Sequence, residues 1–259
     1  MTRIDFGRHS DDYATHRPGP PGSFYERLDG IAPLRGARCI DLGTGPGLVA
    51  LELAARGAAV VGIDVSEEQI AAARSLAAGR GLQDLAGFRV GRAEATGLKA
   101  SAYDLVTASQ CWHWFEGAAA LAEVRRVLRP GGTLAIVSYC YLAAHSPVAQ
   151  DTEALILERN PSWGMAGATG VFPDQIDEVL RGGLSLVEAF AYDHDEAFSH
   201  ARWRGRIRTC HGVGSGGLSP DAVRRFDDDL ARLLSRKYPD PVTVPHRVWC
   251  VAGRTRGGG

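Results

Sequence analysis

Between Arg38 and Tyr141 the chain alternates strand-like apolar runs with helix-like segments, and this alternation constrains the fold more than any other feature of its 259 residues. The apolar run at 38–42 reads as a strand. A helix over 48–56 follows and stops at Gly57. A second strand covers 58–63. Ser66 then caps a helix running to about Ala78, with Glu67 and Glu68 in its first turn, where negative charge suits the helix dipole. Strands at 88–90 and 103–108 come next. A helix over 118–128 is halted by Arg129-Pro130-Gly131-Gly132, and a fifth strand covers 133–139. This rhythm predicts an α/β fold, a mostly parallel sheet with helices on both faces. Right-handed crossovers set the C-terminal ends of the parallel strands along one edge, where ligands of such sheets bind.

Beyond Tyr141 the rhythm loosens. Helices are expected over 149–159, 172–180, 203–210 and 223–237, with strands over 184–192 and 244–252. The whole reads as one domain: an N-terminal lid arm (1–30), a cofactor-binding core (38–141), cap insertions (142–183 and 195–240) and a final strand (244–252). A formal net charge of −1 gives no basic field for nucleic acid. No apolar stretch is long enough for a bilayer, and the N-terminus has no signal-peptide run. Five cysteines, with no C-x-x-C pair, argue against a disulfide framework or a structural zinc site, so no metal is expected. A reducing, cytoplasmic setting follows. The expected partner is a small-molecule substrate, with the protein as monomer or homodimer.

The most informative run is Cys39-Ile40-Asp41-Leu42-Gly43-Thr44-Gly45-Pro46-Gly47. A glycine loop between strand and helix lets a ligand approach the backbone closely. The dinucleotide fingerprint needs a third glycine where Leu48 stands. Asp41, beside the loop, would repel a pyrophosphate and attract a sulfonium and an α-ammonium. Asp64 ends the second strand, about 20 residues past the loop, where an acidic side chain accepts hydrogen bonds from ribose hydroxyls.

These segments, Asp41 to Gly47 with Gly62-Ile63-Asp64-Val65-Ser66, resemble the class I S-adenosylmethionine-dependent methyltransferases, and more narrowly the trans-aconitate and ubiquinone/menaquinone-type branch. Tyr13-Ala14-Thr15-His16-Arg17-Pro18, Ser109 to Phe115 and Leu128 to Gly132 are similar to three further elements of that branch. The resemblance covers 6–141 and the last strand. It implies a Rossmann-like sheet whose last strand is antiparallel, and S-adenosyl-L-methionine as cofactor. By the same resemblance Asp41, Gly43, Thr44 and Gly45 hold the methionine portion, Asp64 the ribose, and Val65, Ala93 and Glu94 the adenine. Ser109 and Gln110 border the sulfonium, and Arg17 pairs with the cofactor carboxylate. Arg92 departs from the branch, which often has Asp there. An arginine cannot accept a hydrogen bond from an adenine amino group, which leaves that contact to Glu94 or backbone.

Methyl transfer from a sulfonium is an in-line displacement, so the protein chiefly aligns nucleophile, methyl and sulfur. His113 is the candidate general base, its ordinary pKa lying near neutrality. Its structural reading, a helix cap or pocket wall, outweighs the catalytic one. Tyr13, His16, Tyr25, Trp112, His113 and Tyr139 are the expected substrate-pocket residues. The basic stretch 202–208 reads as a solvated helix with Trp203 and Ile207 on one buried face. N- or O-methylation of a small molecule is therefore expected. The alternatives are a cyclase or lyase using the same cofactor, an NAD-dependent oxidoreductase, and a non-catalytic cofactor-binding partner.

Overall fold

The computed structural model describes residues 16–214 and 218–256. Two compact units emerge, each assembled from separate stretches of chain. The larger takes in Gly19–Tyr139, Phe172–Tyr192 and 248–256. Its strands are β1 (Arg38–Leu42), β2 (Ala59–Asp64), β3 (Ala86–Val90), β4 (Tyr103–Ser109) and most of β5 (Leu128–Tyr141). The first half of β6 (Ser185–Phe198) and the end of β7 (Val242–Arg254) also belong to it. The seven strands are ordered β3-β2-β1-β4-β5-β7-β6. The pairs β1–β2, β1–β4, β2–β3 and β4–β5 are parallel. The sheet is mostly parallel with one antiparallel strand, as expected. Strand order reverses between β1 and β4, which makes their C-terminal ends the switch point.

Helix α1 (Gly22–Ile31) buries Phe24, Tyr25 and Leu28. Helix α2 (Leu48–Ala55) is apolar almost all round and buries Val49, Ala50, Leu51, Leu53 and Ala54. Helix α3 (Glu67–Gly79) starts as predicted: the Ser66 hydroxyl accepts the Gln69 N–H, with Glu67 and Glu68 in the first turn. Helices α4 (Gly117–Val127) and, later in the chain, α6 (Asp174–Arg181) complete this unit. Leu34, Ile70, Leu105, Val137 and Val248 are among the residues of its core.

The smaller unit takes in 16–18, Cys140–Val171 and Asp193–Arg247. Its helices are α5 (Pro147–Arg159), α7 (His200–Arg208) and α8 (Pro220–Lys237). Ser146, Ser199 and Ser219 cap them, each hydroxyl accepting a backbone N–H of the first turn. Trp203, Phe198, Phe226 and Leu230 centre its core. The Trp203 indole N–H donates to Thr152 Oγ1 at 3.0 Å.

Three segments differ from expectation. Helix α1 was not foreseen. Strand β5 starts at Leu128, so Arg129 to Gly132 lies within a strand; the turn survives as a register shift opposite Tyr103 and Leu105, with Gly131 at φ +76°. Strand β6 runs on to Phe198, six residues past the expected end.

Candidate functional site

Strand β1 ends in the glycine loop, and the loop is fastened to β2. Thr44 N–H donates to the Ile63 carbonyl at 2.9 Å, and Gly45 N–H to Asp64 Oδ2 at 2.9 Å. The other Asp64 oxygen accepts the Ser66 N–H at 3.0 Å. One carboxylate thus ties the loop to the start of α3. Each of its oxygens keeps a further lone pair. Gly45 sits at φ +53°, yet a Cβ there would meet only Gln69 Oε1 at 3.8 Å, an ordinary contact. The backbone conformation, rather than crowding, demands glycine at this position.

Asp41 is only 1% exposed. The Thr44 hydroxyl donates to its Oδ2 at 2.6 Å and the Thr107 hydroxyl to its Oδ1 at 2.7 Å. Thr107 is its register partner on β4. The expectation that Asp41 meets a ligand directly is therefore changed: both oxygens face threonines, and the carboxylate shapes the loop from beneath. Burial pushes its pKa up to about 6, against the pull of the two hydroxyls.

That value lies above the ordinary carboxylate pKa of about 4, so protonation favours the folded state. The contribution is complete below pH 4 and is lost as pH rises through 6. Asp41→Asn, neutral throughout, is expected to gain on the parent over this window by about 3 kcal/mol, the shift converted at about 1.4 kcal/mol per pKa unit. Urea unfolding at pH 4 to 7 checks this; parallel profiles for the two proteins would contradict it.

After β2, Val65 stands 58% exposed, an apolar side chain in water at the sheet edge. After β3, Ala93 is buried. Glu94 Oε1 accepts the Glu116 N–H at 3.0 Å, and its Oε2 lies 3.3 Å from the Arg92 guanidinium. The unexpected arginine is thus the ion-pair partner of Glu94.

After β4, half-buried Ser109 leads into Gln110 at φ +62°, a left-handed conformation rare outside glycine. Its N–H donates to the Val137 carbonyl at 2.9 Å and its side-chain amide to the Tyr139 carbonyl. Cys111, buried beneath the loop, donates its thiol to the Leu42 carbonyl at 3.1 Å. Burial pushes that thiol well above its ordinary pKa, which keeps it protonated.

A 3₁₀ turn covers Trp112–Trp114. Trp112 is buried, its indole N–H donating to Glu178 Oε2 at 2.6 Å. His113 and Trp114 are exposed, their rings 4.5 Å apart. Tyr139 is buried in the core.

The larger unit thus brings Asp41, Gly43, Thr44, Gly45, Asp64, Val65, Ser109 and Gln110 to the C-terminal ends of β1, β2 and β4, with Ala93 and Glu94 after β3. Tyr25 does not join them as a pocket residue. It is buried in the core, edge-on to Phe24 at 5.1 Å and beneath the Arg56 guanidinium at 4.4 Å. The amphipathic turn of α1 turns it inward. Arg17 and His16 belong to the smaller unit. Arg17 Nε donates to Thr209 Oγ1 at 3.2 Å, and the His16 ring occupies the space where a Cβ of Gly205 would stand. Tyr13 lies outside the described residues.

Thr107 and Cys111 escaped the sequence reading. Thr107 could have been found from topology, because a strand order 3-2-1-4 sets the middle of β4 beside Asp41.

Residues 40–136 match the family model described as a methyltransferase domain. The chain is 36% identical over 134 residues to an uncharacterised methyltransferase of Mycobacterium tuberculosis, a stretch covering 52% of this chain and 51% of that one. It therefore spans about half the length of the mycobacterial relatives it matches. It is 31% identical over 216 residues to 27-O-demethylrifamycin SV methyltransferase of Amycolatopsis mediterranei, covering 80% of this chain and 75% of that one. Among solved structures, one assigned as a type II methyltransferase from Anaeromyxobacter dehalogenans aligns with a TM-score of 0.66 at 25% identity, over 93% of this chain and 99% of that one. The [4+2]-cyclase SpnF shares the fold, with a TM-score of 0.58 at 19% identity over 91% of this chain and 81% of that one. With the glycine loop, the acidic end of β2 and the strand order, these likenesses place the chain: it belongs to the class I S-adenosylmethionine-dependent methyltransferase family.

Proposed function

We propose that the protein transfers a methyl group from S-adenosylmethionine to a nitrogen or oxygen of a small-molecule acceptor. The observation that carries this reading is Asp64 at the switch-point edge, holding Gly45 and Ser66 while each of its oxygens retains a lone pair. The donor set fits the cofactor. Asp64 takes the ribose hydroxyls and exposed Val65 covers the adenine, with Ala93 and Glu94 beside it. Gly43, Thr44 and Gly45, braced by Asp41, accommodate the methionine portion, bordered by Ser109 and Gln110. The bound cofactor supplies an activated methyl group on a positively charged sulfur. The chain's part is to bind, orient and exclude water.

A small acceptor is supported by the Amycolatopsis relative, whose name gives 27-O-demethylrifamycin SV as its substrate. We assign acceptor choice to 142–183 and 195–240, the segments inserted around the core strands. Because a [4+2]-cyclase shares the fold, the test must follow the methyl group itself. Calorimetric titration is expected to give binding of S-adenosylhomocysteine and none of NADH. Incubation with methyl-labelled cofactor and a metabolite extract is expected to yield a labelled small molecule. Cofactor binding without label transfer would favour the cyclase or the non-catalytic partner, and NADH binding would favour the oxidoreductase.

His113 is exposed on its short turn, and we assign it to the pocket wall. His113→Ala is expected to keep more than about one hundredth of parental turnover, since a general base contributes about a hundredfold or more. A larger loss with unchanged cofactor binding would make it the base.

A further inference from the structure

The 3₁₀ turn Trp112–Trp114 bears on the glycine loop through the two residues that flank it. Gly43 sits at φ +59°, and a Cβ on it would stand 2.7 Å from Cys111 Cβ and 3.2 Å from Phe115 Cζ. The loop backbone therefore rests on Cys111 and Phe115, which precede and follow the turn. The Cys111 thiol adds its bond to the carbonyl of Leu42, one residue before Gly43. Two backbone bonds close the turn, Trp114 N–H to the Cys111 carbonyl at 2.9 Å and Phe115 N–H to the Trp112 carbonyl at 3.1 Å. Turns of this kind have poor hydrogen-bond geometry, so side-chain contacts set their orientation.

Trp112 makes such contacts. Its ring lies edge-on to Phe115, centroids 5.8 Å apart. Its indole has a single N–H, which donates to Glu178 Oε2 at 2.6 Å across 66 residues of sequence. Glu178 is exposed, but other residues seat the helix that carries it, α6. Val179 is fully buried, its side chain occupying the place that a Cβ of Gly253 on β7 would take. Gln175, one turn before Glu178, accepts the Trp249 indole N–H at 2.9 Å. Just past the helix, a Cβ on Gly182 would stand 2.7 Å from Leu121 Cδ1 of α4. All of these residues belong to the larger unit. Glu178 is thus a fixed point on its frame. Packing alone would keep the indole buried, and the bond to Glu178 fixes the direction in which its ring, and with it the turn, points.

We propose that Glu178 is a positioning residue for the cofactor: by holding the Trp112 indole it sets Cys111 and Phe115 against Gly43, and so keeps the loop in the shape that takes the methionine portion. It acts through Trp112 and not by contact with the cofactor. This role rests on the glycine loop being the cofactor seat, as proposed above.

The test titrates S-adenosylhomocysteine calorimetrically into the full chain and its variants. Glu178→Ala is expected to weaken binding about fivefold to tenfold, the usual net worth of one hydrogen bond. Glu178→Gln keeps an oxygen for the indole N–H and is expected to restore most of the affinity. Trp112→Phe removes the donor instead. Alone or combined with Glu178→Ala it is expected to bind equally, since the acceptor has no use once the N–H is gone. Gln175→Ala breaks the other indole bond of α6. It is expected to lower the melting temperature as much as Glu178→Ala does, with affinity at the parental value, because Trp249 does not reach the loop through the turn. Parental affinity in Glu178→Ala, an equal loss of affinity in Gln175→Ala, or additive losses from Glu178→Ala and Trp112→Phe overturns the assignment. Asp64→Ala separates this role from the reading beneath it. If neither Asp64→Ala nor Glu178→Ala changes affinity, the loop is not the cofactor seat and both readings fall. Loss in Asp64→Ala alone removes the positioning role and leaves the seat standing.

Discussion

Asp64→Ala is expected to weaken S-adenosylhomocysteine binding by about two to four orders of magnitude. Two hydrogen bonds from ribose hydroxyls to a carboxylate contribute about 1.5–3 kcal/mol each, and each 1.4 kcal/mol is a factor of ten. The loss has a second source. Without the carboxylate, Gly45 and Ser66 lose the acceptor that holds the loop against α3. Asp64→Asn separates the two effects, because its single oxygen can keep one backbone contact while losing the charge. Calorimetry should rank parent, Asn and Ala in that order. Parental affinity in the Ala variant would show that the ribose is held elsewhere.

The largest expected effect on stability is that of Gly62→Val. Gly62 lies on β2, between Asp41 on β1 and Phe88 on the edge strand β3. A Cβ there would stand 2.5 Å from Phe88 Cδ1 and 2.8 Å from the Thr44 hydroxyl. The Phe88 ring cannot retreat, since a Cβ on Gly47 would lie 2.9 Å from the same ring. The Thr44 hydroxyl cannot move without releasing Asp41, to which it donates at 2.6 Å. Overpacking of this kind costs about 1–3 kcal/mol, and the broken bond to a buried carboxylate adds about as much again. The urea midpoint should fall accordingly, and the milder Gly62→Ala combined with Phe88→Leu should recover part of the loss. A midpoint equal to that of the parent would mean that the ring and loop yield freely.

The core of this site was legible because its chemistry is local. A glycine loop between a strand and a helix, with acidic residues ending two successive strands, requires no knowledge of distant contacts. Three of the four helix starts after Tyr141 were read two or three residues late, 149, 203 and 223 against Pro147, His200 and Pro220, and the fourth, 172, two residues before Asp174. The apolar pattern becomes visible only past the polar cap and first turn, although Ser-Pro before α5 and α8 is a capping signal. Helix α1 was missed because its Pro- and Gly-rich approach reads as a turn. Asp193 to Glu196 looked like the end of a strand, yet polar residues are tolerated in β6 between buried Phe190 and Phe198, where exposed and intermediate positions alternate. The buried face of α7 was foreseen in Trp203 and Ile207, and both are fully buried. Arg206, adjacent to that stripe, was assigned to water because charge at a helix position ordinarily means exposure. It is buried and lies against Tyr141, 65 residues away in sequence, which no spacing rule links to it.

The backbone passes from one compact unit to the other five times, each unit being three stretches of chain. No single cut can therefore release either unit as a contiguous fragment. A protein engineer transplanting the smaller unit from a relative would have to graft several stretches at once, with junctions inside β5, β6 and β7. Single-crossover chimeras made anywhere between Cys140 and Arg247 would mix parentage within both units together.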